Sequence, residues 1–136
     1  MKILIVDDDP AVVVFFKQVA KAKGHTDIST ALSGEEALGK GLQAEYDLIT
    51  LDIKMPGIGG LEILSLLRNM SPHAIIAIVS GHFPQSIPDE TAGCADVMIC
   101  KPVSVEALNR LLDAAALICK TLEGVRLLED VTFASD

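Results

Sequence analysis

A doubly wound α/β fold, one parallel sheet of five strands with helices on both faces, is the architecture this sequence predicts. Short apolar, β-branched runs alternate five times with helix-length segments, and that alternation implies parallel pairing with crossover helices. The first run shows no polar alternation, as expected of a strand buried on both faces. A third observation concerns the run ends, which fall at Asp7-Asp8-Asp9, Asp52, Ser80 and Lys101-Pro102.

Lys2 to Val6 is the first strand. Asp9 then caps a helix that carries Pro10 at its first position, where a missing N–H costs nothing. Val13, Phe16, Val19 and Ala20 form its apolar stripe, Phe15 falls at the stripe's border, and Gly24 ends the helix. Thr26 to Ala31 reads as a weaker, edge-like strand. Ser33 and Glu36 have capping-box spacing for a helix to about Ala44, which Gly39 and Gly41 weaken.

Tyr46 to Leu51 is the third strand, and Met55-Pro56-Gly57-Ile58-Gly59-Gly60 is a turn-forming loop before an amphipathic helix over Leu61 to Met70. Ala74 to Val79 and Val97 to Cys100 are the fourth and fifth strands. Between them, Pro84 and Pro88 leave room for little more than two helical turns. Ser104 caps a last helix through about Lys120. Residues 121–136 carry Val125, Leu127, Leu128 and Val131 without a clear stop, and either extend that helix or fold back loosely.

With 136 residues, half of them hydrophobic, the chain suits one domain burying roughly 68–70% of its unfolded surface. The expected division is a folded unit over 1–120 and a C-terminal extension over 121–136. The longest apolar stretch is far short of the roughly 20 residues of a membrane helix, and the amino terminus lacks an apolar signal core. The expected location is the cytoplasm. Cys94, Cys100 and Cys119 show no metal-ligand or Cys-x-x-Cys spacing, so they read as reduced thiols. A net charge of −8 and a pI near 4.7 argue against direct nucleic-acid binding.

In open α/β sheets the carboxyl ends of the strands form the ligand site. Asp7, Asp8, Asp52, Ser80 and Lys101 all lie at such ends. Three close carboxylates repel unless a cation neutralises them, and a hard cation such as Mg2+ is the natural remedy. The Asp52 carboxylate can then attack a phosphoryl group in line, with Lys101 and Ser80 stabilising the transferred oxygens. Asp9 is the exception in the acid cluster, being better explained as the helix cap.

Ile-Val-Asp-Asp-Asp-Pro, Leu-Asp-Ile-Lys-Met-Pro-Gly and Ile-Cys-Lys-Pro, in this order, resemble the receiver domain of bacterial two-component response regulators, of the single-domain chemotaxis type. The resemblance covers about residues 1–120. It implies a flavodoxin-like strand order 2-1-3-4-5, Asp52 as phosphoacceptor, and Asp7 and Asp8 as the acid pair for Mg2+, with the Lys54 backbone carbonyl completing the metal site. It also implies that Ser80 and Lys101 engage the phosphoryl oxygens and that the Lys101-Pro102 bond is cis. The expected partners are a sensor histidine kinase or phosphotransfer protein and a downstream protein, with no nucleic acid or membrane. A monomer or a phosphorylation-dependent dimer is expected. Such a chain is a phosphoacceptor that assists its own phosphorylation and dephosphorylation, rather than an enzyme.

Three departures stand out. Met98 replaces the usual Tyr or Phe three residues before the lysine, Cys94 stands where glycine is common, and the proline-rich segment alters the fourth helix. His82 falls where receivers control water access to the phosphoaspartate. An adaptor that works without phosphorylation is the main alternative. An aspartyl-phosphate phosphatase would want a threonine where Ala11 stands, and a nucleotide- or flavin-binding module would want a glycine-rich first turn.

Overall fold

Runs of Ile, Leu and Val form the centre of the sheet because both faces of each strand must be covered. The computed structural model describes residues 1–81, 91 and 93–135. Its elements are β1 (Ile3–Val6), α1 (Pro10–Ala22), β2 (Ile28–Ala31), α2 (Gly34–Gln43), β3 (Leu48–Leu51), α3 (Gly60–Met70), β4 (Ile75–Ser80), β5 (Val97–Cys100) and α4 (Val105–Ser135). The strands pair in parallel in the order β2-β1-β3-β4-β5, the order that the resemblance implies. The proline-rich segment with Pro84 and Pro88, the expected fourth helix and His82 lie outside the described residues.

Alternate residues of each strand feed two cores. Leu4, Val6, Ile49, Leu51, Ile76 and Ile78 pack with Ile63, Leu64 and Leu67 of α3. On the other face Ile3, Ile5, Leu48, Ala77 and Val79 pack with Val13 and Phe16 of α1 and with Leu108, Leu111 and Leu112 of α4. Phe15 is half-buried at the edge of this second core, as its place on the helical stripe predicts.

The local signals act as read. Asp9 Oδ1 accepts from the Ala11 amide at 2.9 Å and caps α1, and Gly24 follows the helix with φ +92°. Ser33 Oγ accepts from the Glu36 amide at 3.1 Å, while Glu36 Oε2 accepts from the Leu32 amide, one residue before the cap. The capping box therefore closes one residue outside its usual partner.

Several boundaries shift for identifiable reasons. β2 starts at Ile28 rather than Thr26, where pairing with Ile3 begins. β3 starts at Leu48, where pairing with Ile3 begins, because side chains take the Tyr46 and Lys2 amides just before the paired residues. The Tyr46 amide donates to Ser71 Oγ at 2.9 Å, and Asp47 Oδ2 accepts from the Lys2 amide at 2.7 Å. α2 runs through Gly39 and Gly41 since tertiary packing outweighs their low propensity. A Cβ on Gly41 would meet Met70 Sδ at 2.7 Å, so this glycine lets α2 approach α3 closely. α4 continues past Lys120 to Ser135. Among the described residues no helix is long and apolar enough to cross a membrane.

Arg68, near the end of α3, fastens the far end of the sheet. Its Nε donates to the Cys94 carbonyl at 2.9 Å, Nη1 to the Ala74 carbonyl at 2.6 Å, and Nη2 to Asp96 Oδ2 at 2.7 Å. Asp96 Oδ2 also accepts from the Ile76 amide at 2.9 Å. One guanidinium thus joins α3 to the approaches of both β4 and β5. Arg68→Met should lower the unfolding free energy by about 1–3 kcal/mol, since partly buried carbonyls lose their donors. An unchanged urea midpoint would count against this role.

Two glycines give opposite expectations. A Cβ on Gly60 would collide with the backbone of Ile53 and lie 2.7 Å from the Asp52 carbonyl oxygen. Gly60→Ala should destabilise by about 1–3 kcal/mol, because backbone cannot yield as a side chain does. Gly39 has nothing within 4 Å of an added Cβ, and Gly39→Ala should stabilise by about 0.5–1 kcal/mol through helix propensity alone. Urea unfolding of the two variants in parallel checks both signs.

Candidate functional site

The chain runs outward from β1 to β2 and then returns past β1 to β3, so the strand order reverses between β1 and β3. Val6 pairs with Leu51 at that reversal, and the next residue of each strand is an aspartate. Asp7 and Asp52 therefore emerge side by side, with the Asp52 amide bonded to the Val6 carbonyl at 3.0 Å. Ser80 pairs with Cys100 at the ends of β4 and β5, and the Lys101 amide donates to the Ser80 carbonyl at 2.9 Å.

Lys101 bridges the two acids. Its Nζ lies 2.6 Å from Asp7 Oδ2 and 3.3 Å from Asp52 Oδ2. The other oxygen of each carboxylate is held by the amide two residues on. Asp7 Oδ1 accepts from Asp9 at 2.9 Å and Asp52 Oδ1 from Lys54 at 3.0 Å. Both are Asx turns, which set the carboxylate orientation without help from distant residues.

Asp7 and Asp52 are 3% and 5% exposed, whereas Asp8 is exposed. Oxygen atoms of Asp7, Asp8 and Asp52 lie within 4.8 Å of one another. Burial pushes the Asp7 carboxyl above its ordinary value and the Asp52 charge adds to the rise, against the pull of Lys101 and the Asp9 amide. Burial by itself would push the Lys101 ammonium down. The hydrogen bond to Asp7 and the charges of Asp7 and Asp52 outweigh it, and the net direction is up.

One ammonium faces three carboxylates, leaving two negative charges uncompensated when all are ionised. All three donors are hard oxygens, and Asp8 is open to solvent, a set that fits a divalent cation of the Mg2+ type. Ser80 is buried at the end of β4. Lys54, expected to offer its carbonyl, makes its described contact through its amide. The Asx-turn amides of Asp9 and Lys54 were not foreseen, although an aspartate at a strand end followed by loop residues is their usual signal.

The Lys101-Pro102 bond is cis. Met98, on β5, is 47% exposed, and Cys94 is half-buried against the α3-side core. Beside the acids, an apolar groove of about 460 Å³ is lined by Ala11, Val12, Phe15, Lys101, Pro102 and Val103, among others.

The comparisons with known proteins point one way. The family profile described as the response regulator receiver domain matches residues 3–113. The transcriptional regulatory protein ResD of Bacillus subtilis is 35% identical over 104 residues, covering 76% of this chain but 42% of that protein. The chain thus spans less than half the length of that regulator. The chemotaxis protein CheY of Thermotoga maritima is 30% identical over 116 residues, covering 81% of this chain and 96% of CheY. Among solved structures, the response regulator TrrA of Thermotoga maritima, in complex with Mg(2+)-BeF, superposes with a TM-score of 0.73 at 34% identity, covering 85% of this chain and 99% of that one. A CheY-like receiver domain from Methanospirillum hungatei gives a TM-score of 0.75 at 28% identity, covering 88% and 97%. A profile match over most of the chain, together with a near full-length pairing to a chemotaxis receiver, gives the assignment: this chain belongs to the receiver-domain family of two-component response regulators.

Proposed function

We propose that the chain is a phosphorylation switch in which Asp52 accepts a phosphoryl group from a sensor histidine kinase or a phosphotransfer protein, in a Mg2+-dependent reaction. The observation that carries this reading is the grouping of the Asp7, Asp8 and Asp52 oxygens within 4.8 Å, with Lys101 bonded to two of the three acids. In this reading residues 1–120 form the receiver unit and 121–136 its C-terminal extension.

Asp7, Asp8 and Asp52, with the Lys54 carbonyl, are the residues that would hold the cation. When bound, Mg2+ would offset the acids' repulsion and offer positive charge to the phosphoryl oxygens.

The chain's own residues do the rest. An Asp52 oxygen attacks phosphorus in line; the bond from phosphorus to the donor's imidazole nitrogen breaks, and that nitrogen leaves with the electron pair. The Lys54 amide keeps the Asp52 carboxylate in one orientation, so little rotational freedom remains to be lost on reaction. Lys101 exchanges its contact with Asp52 for the incoming oxygens while Asp7 keeps its Nζ in place. Ser80 donates its hydroxyl to a phosphoryl oxygen. The modified surface then changes affinity for a downstream protein.

Intact-mass measurement after incubation with acetyl phosphate and Mg2+ tests the acceptor directly. The parent should gain one phosphoryl group, and Asp52→Asn should gain none. An adduct persisting in Asp52→Asn would overturn the assignment.

Binding of Mg2+ has a readout independent of the reaction. At ten times its dissociation constant the cation should stabilise the parent by about 1.4 kcal/mol through mass action. Thermal unfolding with and without Mg2+ should show that shift, and Asp8→Asn should reduce it. Equal shifts in parent and variant would remove Asp8 from the site.

Lys101→Met should leave Asp7 and Asp52 without their shared cation. Phosphorylation by acetyl phosphate should fall at least tenfold, and a retained rate would show that the lysine has no part in it.

A further inference from the structure

α4 extends well beyond the body it packs on. Its 31 residues span about 46 Å. Leu108, Leu111, Leu112 and Ala115 are buried in the second core, and Cys119 and Leu122 are half-buried beside Asp47, His73 and Ile75. From Glu123 to Leu128 every residue is exposed.

The stretch from Ile118 to Leu128 follows a heptad pattern. Taking Ile118 as position a, Val125 follows at a, with Thr121 and Leu128 at d. Ile118, Val125 and Leu128 are 41%, 55% and 68% exposed. Leu117, 67% exposed at g, widens the seam, while Leu122 at e faces the chain's own body. Between Ala114 and Leu128 the charged residues are Lys120, Glu123 and Arg126, which fall at the outer positions c, f and b.

We propose that this half of α4 pairs in parallel with the same helix of a second copy, as a short two-stranded coiled coil. β-Branched residues at a with leucine at d favour two parallel strands, and Ile118, Val125 and Leu128 supply that choice. Charge favours the same occupant. In a chain of net charge −8, a seam without charged residues lets two copies meet with no like charges facing across it. The seam buries less than the about 800 Å² per partner of a standard interface, which makes the dimer weak and concentration-dependent. The pairing does not depend on the chemistry proposed for Asp52.

Sedimentation equilibrium of the full chain, from micromolar to about 1 mM, tests the pairing. The mass should rise from one chain toward two, and Val125→Glu should move that rise at least tenfold higher in concentration with an unchanged thermal midpoint. Thr121→Cys, at a seam position that faces its own copy only in a parallel pair, should give a disulfide-linked dimer on oxidation beyond that of the parent. A parent that stays monomeric throughout would overturn the proposal. So would a dimer indifferent to Val125→Glu, which would be formed elsewhere, or one without the Thr121→Cys cross-link, which would not be parallel.

Discussion

Two carboxylates, nearly sealed from water and side by side, are the constraint on which this structure turns. The pairing of β1 with β3 forces Asp7 and Asp52 together, and bringing like charges out of water is unfavourable unless something compensates. Lys101 does so from the end of β5, and each acid receives an amide from its own loop. The balance is incomplete, since one ammonium faces three acids. The remaining negative charge makes a divalent cation a natural guest.

Much of this was legible in the sequence because the relevant signals are local. A β-branched run ending in an acid locates a strand end, and Asp9-Pro10 or Ser33-x-x-Glu36 locates a helix start through hydrogen bonds reaching no more than four residues. The parallel sheet followed from alternation, and the convergence of Asp7, Asp52, Ser80 and Lys101 followed from the sheet. The order of strands came from family resemblance, since nothing local distinguishes which strand lies beside β1.

What escaped was long-range. Arg68 reads as one charged residue on an amphipathic helix, yet it binds the Cys94 and Ala74 carbonyls and Asp96. Its partners lie up to 28 residues away, and no periodicity reports them. Gly41 read as a weak point in α2 because helix propensity does not include Met70 on the neighbouring helix. The length of α4 was open for the same reason, as an apolar tail without a stop signal says little about whether it stays helical.

The span of chain between the members of the site has a consequence for biosynthesis. Asp7 and Lys101 are 94 residues apart in sequence yet joined by a hydrogen bond, and each of the intervening strands except β2 lies between them in the sheet. A ribosome that has released the first acid, the second and the hydroxyl has still not released the lysine. Until β5 docks, the acids have no shared cation from the protein, and a nascent or partly unfolded chain holds no assembled centre. An assembled acid–lysine centre therefore reports that the last strand is in place.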